Sequence, residues 1–478
     1  MLRQRSSVAW TFAITAIALF MVALDNLVVT TALPVIRHEL NSSLSDLEWT
    51  VNAYTLTFAV LLLTGAALGD RFGRRRIFTI GLVIFTVGSA LAALSTSSTS
   101  LILARAIQGL GGAIVTPLTL TILSAGVPAE RRPLALGAWG GIGGLAIAIG
   151  PVVGGAITQG VNWHWIFWLN VPIGIVAAIL AYFRLEETHG PEGRLDVVGL
   201  ALASAGLLGV VWGVIHGNDR GWFDPQILAT MGVGGMLLLT FVWWELRAKS
   251  PMLPPHLFRS RGFTAANTAS LLMYFGMFGS IFLLSQYFQI VLGMNPFDAG
   301  LRVLPWTAMP IFVAPIAGVL SGRIGARPIV VTGLVMMSLG LGWMAAIASP
   351  GTDYSAFVLP FIVSGTGMGM FFAPIANVVL SAVKPEEEGK ASGANNAIRE
   401  VGGVFGVAVL AAVFTANGAY TTPQAYVSGL VPAMWFGALV VAVSAVAALF
   451  IPAHVRGEQL HGTSEAAARS GSETQAAA

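Results

Sequence analysis

The dominant pattern along this chain is a succession of long apolar runs separated by short polar segments. Fourteen runs approach or exceed the about 20 residues that an α-helix needs to cross a bilayer. None of the runs alternates between apolar and polar residues with period two, as a membrane β-strand does. In hydrocarbon, backbone N–H and C=O groups must form hydrogen bonds within the protein, which a helix provides. The pattern therefore predicts an all-α polytopic membrane protein. The predicted spans are 8–33, 47–69, 77–95, 101–125, 134–158, 165–183, 195–214, 226–246, 263–292, 299–321, 328–348, 354–382, 393–416 and 428–452.

The composition agrees with a membrane protein. Of the 478 residues, 55% are hydrophobic and 10% are charged, whereas a soluble domain carries about 25% charged residues. The first run follows Arg3 and Arg5 as in a secretory signal peptide, but it is longer and thirteen more runs follow, so we expect a retained helix. The absence of cysteine excludes disulfides and thiolate metal sites.

The basic residues indicate an orientation, because Lys and Arg accumulate in cytoplasmic loops. With the N-terminus inside, only Arg37, Arg220 and Arg302 fall in outer loops, and Arg105 and Arg399 fall within spans. Both termini are then cytoplasmic. The high pI thus reflects topology, and we expect no nucleic-acid partner. We expect a multi-pass protein of a bacterial inner (cytoplasmic) membrane.

A basic segment recurs along the chain. LGDRFGRRR (68–76) is echoed by LSGRIGARP (320–328), with an offset of 252 residues and with Gly322 in the place of Asp70. Unless two basic loops match by chance, this indicates two six-helix halves, an architecture common among secondary transporters. The predicted units are an N-terminal half at 8–183, a linker with two extra helices at 184–262, a C-terminal half at 263–453 and a disordered cytoplasmic tail at 454–478.

The motifs of nucleotide-driven pumps and common hydrolases are missing. GxxxxGK[ST], HExxH and GxSxG do not occur, so we expect neither an enzyme nor a cofactor and assign the energy source to a proton gradient. Proton coupling requires a group in the membrane that changes its protonation state. Asp25 and Glu400 are the acidic residues that the sequence places inside spans and away from their ends.

Asp25 has a candidate partner in Arg105. The first span runs outward and reaches Asp25 late, whereas the fourth runs inward and reaches Arg105 early, so their depths are similar. Desolvation disfavours the charged form of an Asp, and a nearby Arg favours it. An Asp subject to both effects is a candidate proton switch. A static ion pair bracing two helices would use the same residues, and position along the chain does not separate the two interpretations.

Arg399 and Glu400 form a second charged site. As neighbours on one helix they point about 100° apart, so at least one needs another partner. Alternatively, both side chains extend to the membrane interface, where their charges contact water. Aromatic and polar side chains that could contact an amphipathic substrate, or could instead be ordinary packing and interface residues, are Trp49, Asn52, Tyr54, Tyr274, Gln286, Gln289, Asn395 and Arg399.

The run GAWGGIGGLAIAIGPVVGG, residues 137–155, places glycines at helical spacing. Small residues let helix backbones approach closely in lipid, and Pro151 bends the helix. A packing role is all that the run indicates by itself.

With these residues the chain resembles the major facilitator superfamily and, within it, the fourteen-helix drug:proton antiporters. Asp70, Arg71, Gly73, Arg74 and Arg75 match the signature GxLxDRxGRR, with Ala66 where the signature begins with Gly. The resemblance implies a charged gating loop between the second and third spans.

Further motifs carry the same resemblance. LILARAIQGLGGA (101–113) is similar to the fourth-helix signature through Arg105, Gln108 and Gly109, which implies a role for Arg105 in proton transfer. LDNLVVTTALP (24–34) and WHWIFWLNVPIG (163–174) are similar to motifs of the first and sixth helices. In REVGGVFGVAV, Glu400 replaces a usual Gln. The antiporter signature of the fifth helix, in which Ala146 replaces one glycine, is matched by Gly137, Gly150, Pro151, Gly154 and Gly155.

The resemblance implies proton-coupled efflux of amphipathic, lipophilic drugs or antibiotics by alternating access. The expected partners are a small amphipathic substrate, protons and membrane lipid, with the protein a monomer. Two alternatives remain open: export of an endogenous lipid, siderophore or metabolite, and a transport-inactive sensor or scaffold of the same fold.

Overall fold

The chain folds into a bundle of long helices. The structure, a computed structural model, describes residues 8–128, 132–190, 195–384 and 387–452, which contain no strand. The predicted tail, 454–478, lies outside the described residues. The helices are α1 (Val8–Glu39), α2 (Leu44–Phe72), α3 (Arg74–Ala93), α4 (Ser98–Gly126), α5 (Arg132–Gly160), α6 (Trp165–Trp168), α7 (Asn170–Arg184), α8 (Val197–Arg220), α9 (Pro225–Glu245), α10 (Arg261–Ile290), α11 (Pro296–Thr307), α12 (Met309–Ile324), α13 (Ala326–Ile347), α14 (Ser355–Ser381), α15 (Glu388–Asn417) and α16 (Pro423–Ala448), and a 3₁₀ turn covers Pro255–Arg259.

The predicted spans are confirmed as helices. Within the described residues, thirteen helical segments are long and apolar enough to cross a membrane, and α5 occupies the remaining predicted span. Two predicted spans are each formed by two helices: α6 and α7 meet at Leu169, and α11 and α12 meet at Ala308. Proline explains the second break, because Pro310 at the start of α12 lacks a backbone donor.

Several predicted boundaries were wrong, by up to six residues: the seventh span was ended at 214 whereas α8 continues to Arg220, and the last two spans were started five residues after α15 and α16 begin. The first span was ended before Pro34, yet α1 continues through that proline to Glu39. A proline inside a membrane helix is tolerated where neighbouring helices and side chains satisfy the freed backbone groups.

The same packing occurs twice in the chain. In the N half (α1–α7), α1 packs on α5, and both α2 and α3 pack on α4; in the C half (α10–α16), α10 packs on α15, and both α12 and α13 pack on α14. An offset of 252 residues carries α2 onto the segment from Pro296 to Ile324. Gly73 and Gly325, in the two basic segments, share a positive φ of 102° and 88°. The division into domains at residues 184 and 262 stays a prediction.

The two ends of the bundle differ in charge. We call the end that carries Arg74, Arg75 and Arg323 the basic end and the opposite end, where α1 meets α2, the far end. The halves meet through α5 with α11 and through α2 with α15, and α8 packs on both α2 and α15. α8 therefore covers the contact between α2 and α15.

Candidate functional site

Asp25 is completely buried in α1. Its Oδ2 accepts a hydrogen bond from Arg105 Nη1, and its Oδ1 accepts from Gln108 Nε2 at 2.7 Å and from Asn170 Nδ2 at 2.8 Å. Three donors from α4 and α7 thus converge on one carboxylate, and donors of this kind stabilise its charged form.

Arg105 has several further partners. Its Nε donates to the Thr50 carbonyl at 3.2 Å, and its Nη1 also donates to Gln108 Oε1 at 2.8 Å. The guanidinium carbon lies 4.3 Å from the centroid of the Tyr54 ring. Arg105 is 1% exposed, so these contacts replace water around the cation.

Ser89 connects the amides that hold Asp25. Its Oγ accepts from Gln108 Nε2 at 3.2 Å and from Asn170 Nδ2 at 3.1 Å, and it donates to the Phe167 carbonyl at 2.9 Å. We call Asp25, Ser89, Arg105, Gln108 and Asn170 the Asp25 cluster. All five side chains are buried.

The structure brings Asp25 and Arg105 together, as their similar depths predict. Sequence reasoning missed Ser89 and Asn170. Asn170 belongs to the sixth-helix motif, and a polar residue inside an otherwise apolar segment was the available signal. Ser89 carries no such signal, because serine is common on packed faces of membrane helices.

Arg399 and Glu400 do not pair with each other in the described structure. The Arg399 guanidinium carbon lies 4.4 Å above the Tyr274 ring, and Nη1 donates to Asn396 Oδ1 at 3.2 Å. Glu400 Oε2 is buried and has no hydrogen-bond partner among the described residues. Arg399 Nε is likewise buried without a described hydrogen-bond partner, so both side chains are incompletely satisfied.

Tyr54 connects the two acidic sites. It lies within electrostatic reach of Asp25, Arg105 and Glu400, and its hydroxyl is 3.4 Å from the Val22 carbonyl. Since Tyr54 is in α2 and Glu400 is in α15, this neighbourhood spans both halves.

The predicted gating loop is ordered by ion pairs at the basic end. Arg74 pairs with Asp70 at 2.8 Å, and Gly73 connects α2 to α3. Arg71 stacks on the neighbouring Phe72 ring at 5.2 Å.

Glu187 is a further loop residue that sequence reasoning missed. Its oxygens accept hydrogen bonds from the backbone N–H groups of Arg75 at 2.9 Å and of Arg76 at 3.3 Å. Its Oε2 also lies 3.5 Å from Arg75 Nε. Because Gly73 offers no side-chain cap, Glu187 supplies the acceptors and the negative charge that a helix N-terminus favours.

The glycines of α5 permit close contact on two sides. A Cβ at Gly150 would meet Leu27 of α1 at 2.9 Å, and one at Gly154 would overlap the Val28 carbonyl. A Cβ at Gly155 would overlap the Pro296 carbonyl, while the Pro151 carbonyl abuts Gly300. Gly137 lies in α5 at a position whose surroundings are outside the described residues.

The predicted substrate-contact residues do not form one group. Gln286 accepts from the Tyr420 hydroxyl, Gln289 donates to the Thr31 carbonyl, and Asn395 donates to Asn267. Trp49 packs on the apolar cluster between α2, α8 and α15. Asn52 is buried in α2, and Tyr54, Tyr274 and Arg399 flank the two acidic sites described above. Their role in substrate contact stays a prediction.

Comparison with known proteins places this arrangement in a family. The profile of the Major Facilitator Superfamily matches residues 15–407 and 266–470. The chain belongs to the major facilitator superfamily. It is therefore a membrane transporter and not an enzyme, and the bacterial relatives together with the apolar helices place it in a bacterial cell membrane.

Several bacterial relatives are identical to this chain at about a third of the aligned positions. The cephamycin export protein CmcT of Amycolatopsis lactamdurans is 36% identical over 88% of each chain. The tetracenomycin C resistance and export protein of Streptomyces glaucescens is 33% identical over 88% of this chain and 79% of its own. The multidrug resistance protein Stp of Mycobacterium tuberculosis is 34% identical over 85% and 76%.

A solved structure shows the same fold. A bacterial homologue of the human lysosomal transporter Spinster, in an inward-facing and unoccupied conformation, matches with a TM-score of 0.65 at 15% identity, covering 93% of this chain and 96% of that one.

Proposed function

We propose that this superfamily member exports amphipathic, lipophilic drugs or antibiotics in exchange for protons by alternating access. The Asp25 cluster is the observation that carries the proposal. A charge at mid-membrane costs about 2.5–3.5 kcal/mol on insertion scales, so intramembrane acids point to function. Asp25 would bind and release the transported proton, and Arg105 would adjust the proton affinity of Asp25. Glu400 is a second candidate for coupling.

The contacts of Arg105 suggest how Asp25 changes protonation at low cost. When Asp25 takes up a proton, it loses its attraction for the guanidinium. Arg105 then still has the Thr50 carbonyl, Gln108 Oε1 and the Tyr54 ring. Because a buried cation without partners is costly, this set of alternatives lets the ion pair weaken without leaving Arg105 unsatisfied.

Two further observations support a lipophilic substrate. An apolar groove of about 640 Å³, open to the outside of the bundle, lies between α1, α5 and α7 and is lined by residues such as Ile17, Phe20 and Leu145. The relatives named above are exporters or resistance proteins for antibiotics and drugs.

Transport into everted membrane vesicles tests the proposal. We expect energised vesicles with the wild-type chain to accumulate a lipophilic dye or antibiotic from a test panel, and a protonophore to abolish the accumulation. Asp25→Asn should abolish it too. Asp353→Asn, which changes an exposed acid, is the control. Full accumulation by Asp25→Asn at every pH would show that the proton assignment is wrong.

Export of a compound that the host itself makes is the second candidate. The names of the cephamycin, tetracenomycin C and probable actinorhodin transporters among the relatives favour it. A host lacking this gene that retains a lipophilic metabolite, with an unchanged drug-susceptibility panel, would support this candidate over drug export.

A further inference from the structure

A third acidic residue is buried where the two halves meet. Glu48 lies in the second turn of α2, is 3% exposed, and its Oε2 has no hydrogen-bond partner among the described residues. Asn52, one turn further along α2, is completely buried, and neither of its side-chain polar atoms has a described partner. Residues four apart share a helix face, so α2 presents two unsatisfied polar groups on one side.

This face of α2 is directed at the C half and at α8. Two turns below, Leu56 and Val60 pack in one apolar cluster with Val404 and Ala408 of α15 and Ile215 of α8. At the far end, α8 contacts both halves: His216 Nε2 lies 3.4 Å from Ser45 Oγ of α2, and Asn218 donates to the Ala412 carbonyl of α15. Glu48 therefore lies in a contact that must separate if the halves open at this end.

In the part of the chain that the structure describes, no cationic group is in direct contact with Glu48. Asp219 of α8 lies within electrostatic reach and is also acidic. Arg37 of α1 is stacked 3.7 Å over the Tyr420 ring, which itself lies within reach of Glu48. Burial raises the pKa of Tyr420 above its ordinary value, so its hydroxyl stays neutral in the physiological range. Among the described residues, Asp219 and Tyr420 lie within electrostatic reach of Glu48. The next charged or titratable groups are Arg37 and Tyr426 beside Tyr420, and Asp46 and His216 at the start of α2.

The halves are closed against each other at this level. Ser285 Oγ of α10 donates to the Thr30 carbonyl of α1 at 3.1 Å, and Gln289 Nε2 donates to the Thr31 carbonyl at 2.8 Å. An ionised Glu48 would be desolvated beside another acid in this state, whereas opening would return it to water.

We propose that Glu48 is a proton-binding site of the far-end closure: it takes up a proton from the far side when the halves close there and returns it to the same side when they open. This inference rests on the alternating access of the proposed function. The Glu48 proton is not transported, since Glu48 is reached only from the far side. It makes closure sensitive to far-side pH, and Asp25 remains the coupling residue.

The absence of native cysteine allows a direct test. Thr96, in the α3–α4 turn, and Thr421, in the α15–α16 turn, are exposed at the far end on opposite halves. Spin labels on Thr96→Cys and Thr421→Cys would report the closed and open populations by distance measurement in nanodiscs, without substrate, as pH is raised. One linked proton predicts that the closed-to-open ratio falls by up to about tenfold per pH unit.

Matched variants identify the group responsible. Glu48→Gln mimics the protonated side chain and should stay closed across the pH range, while Asp353→Asn should behave as wild type. In Asp219→Asn the closed-to-open ratio should fall less in total as pH is raised, because the substitution removes a negative neighbour that favours the protonated form of Glu48.

A last variant separates this inference from the proposed function. In Asp25→Asn the pH-dependent fall should persist, even though coupled transport is lost. Three results would overturn the inference, whatever the vesicle experiment shows. The closed-to-open ratio falls with pH in Glu48→Gln, it no longer falls in Asp25→Asn, or it does not fall in the wild type.

Discussion

At the scale of single residues, the arginine of the Asp25 cluster has several partners besides the carboxylate. Arg105 contacts Asp25, the Thr50 carbonyl, Gln108 and the Tyr54 ring, whereas Arg399 has two neighbouring rings and one described hydrogen bond. The planar guanidinium is what allows these contacts at once, and a lysine ammonium does not reproduce them.

Arg105→Lys should therefore be a severe change although it keeps the charge. Each buried acceptor left without its donor costs about 1–3 kcal/mol, so we expect a lower melting temperature and strongly reduced export. Arg399→Lys should have the smaller effect on stability. Thermal unfolding in detergent and vesicle transport measure both, and equal effects of the two substitutions would contradict the role given to the Arg105 contacts.

Asn170→Ala should reduce both stability and export. Asp25 Oδ1 and Ser89 Oγ each lose a hydrogen-bond donor inside the bundle, and a buried acceptor left without its donor costs about 1–3 kcal/mol. Asn377→Ala removes an exposed amide and serves as control. A melting temperature and an export rate of Asn170→Ala equal to those of the control would contradict the role given to these two hydrogen bonds.

At the scale of helices, contacts through glycine hold α5 against α1 and against α11. These contacts lie on different faces of α5, because Gly154 abuts α1 and Gly155 abuts the start of α11. One helix thus connects the helix that carries Asp25 to the opposite half. The glycine run indicated close packing, but it could not show that two partners were involved or that one belonged to the other half.

Gly154→Ala should destabilise the protein, because its Cβ would lie 2.5 Å from Thr31 Oγ1 and α1 would have to move. Overpacking of this kind typically costs about 1–3 kcal/mol. Gly141→Ala, on the same helix with no described atom within 4 Å of its Cβ, should be neutral or gain up to about 1 kcal/mol from helix propensity. Melting temperatures of the two variants, measured side by side, decide whether the Gly154 contact matters.

The turn at Gly73 provides another test at this scale. Its φ of 102° is strained for any residue with a Cβ, and that atom would meet Glu187 at 2.7 Å. Gly73→Ala should lower the melting temperature, with backbone strain of about 1–3 kcal/mol, and should loosen the predicted gating loop. Gly389→Ala, in open surroundings, is the control. A melting temperature for Gly73→Ala equal to that of Gly389→Ala would contradict the strain argument.

At the scale of the whole molecule, hydropathy was enough to predict the spans because length and apolarity alone decide whether a helix can cross a bilayer. The Asp25–Arg105 contact followed from similar depths. The burial of Glu48 could not be predicted in this way: the sequence places it at the end of a span, where an acid ordinarily contacts water. Its burial depends on α8, α15 and the α15–α16 turn covering the far end of α2, which a one-dimensional pattern does not show.

The proposed exchange requires protons to move through Asp25 as substrate is exported. Proteoliposomes that contain a pH-sensitive dye and a transported compound test this requirement when a substrate gradient is imposed and the internal pH is recorded. We expect substrate-driven proton movement for the wild type and for Asp353→Asn, and none for Asp25→Asn. Proton movement of wild-type size in Asp25→Asn, or wild-type transport with no proton movement, would contradict it.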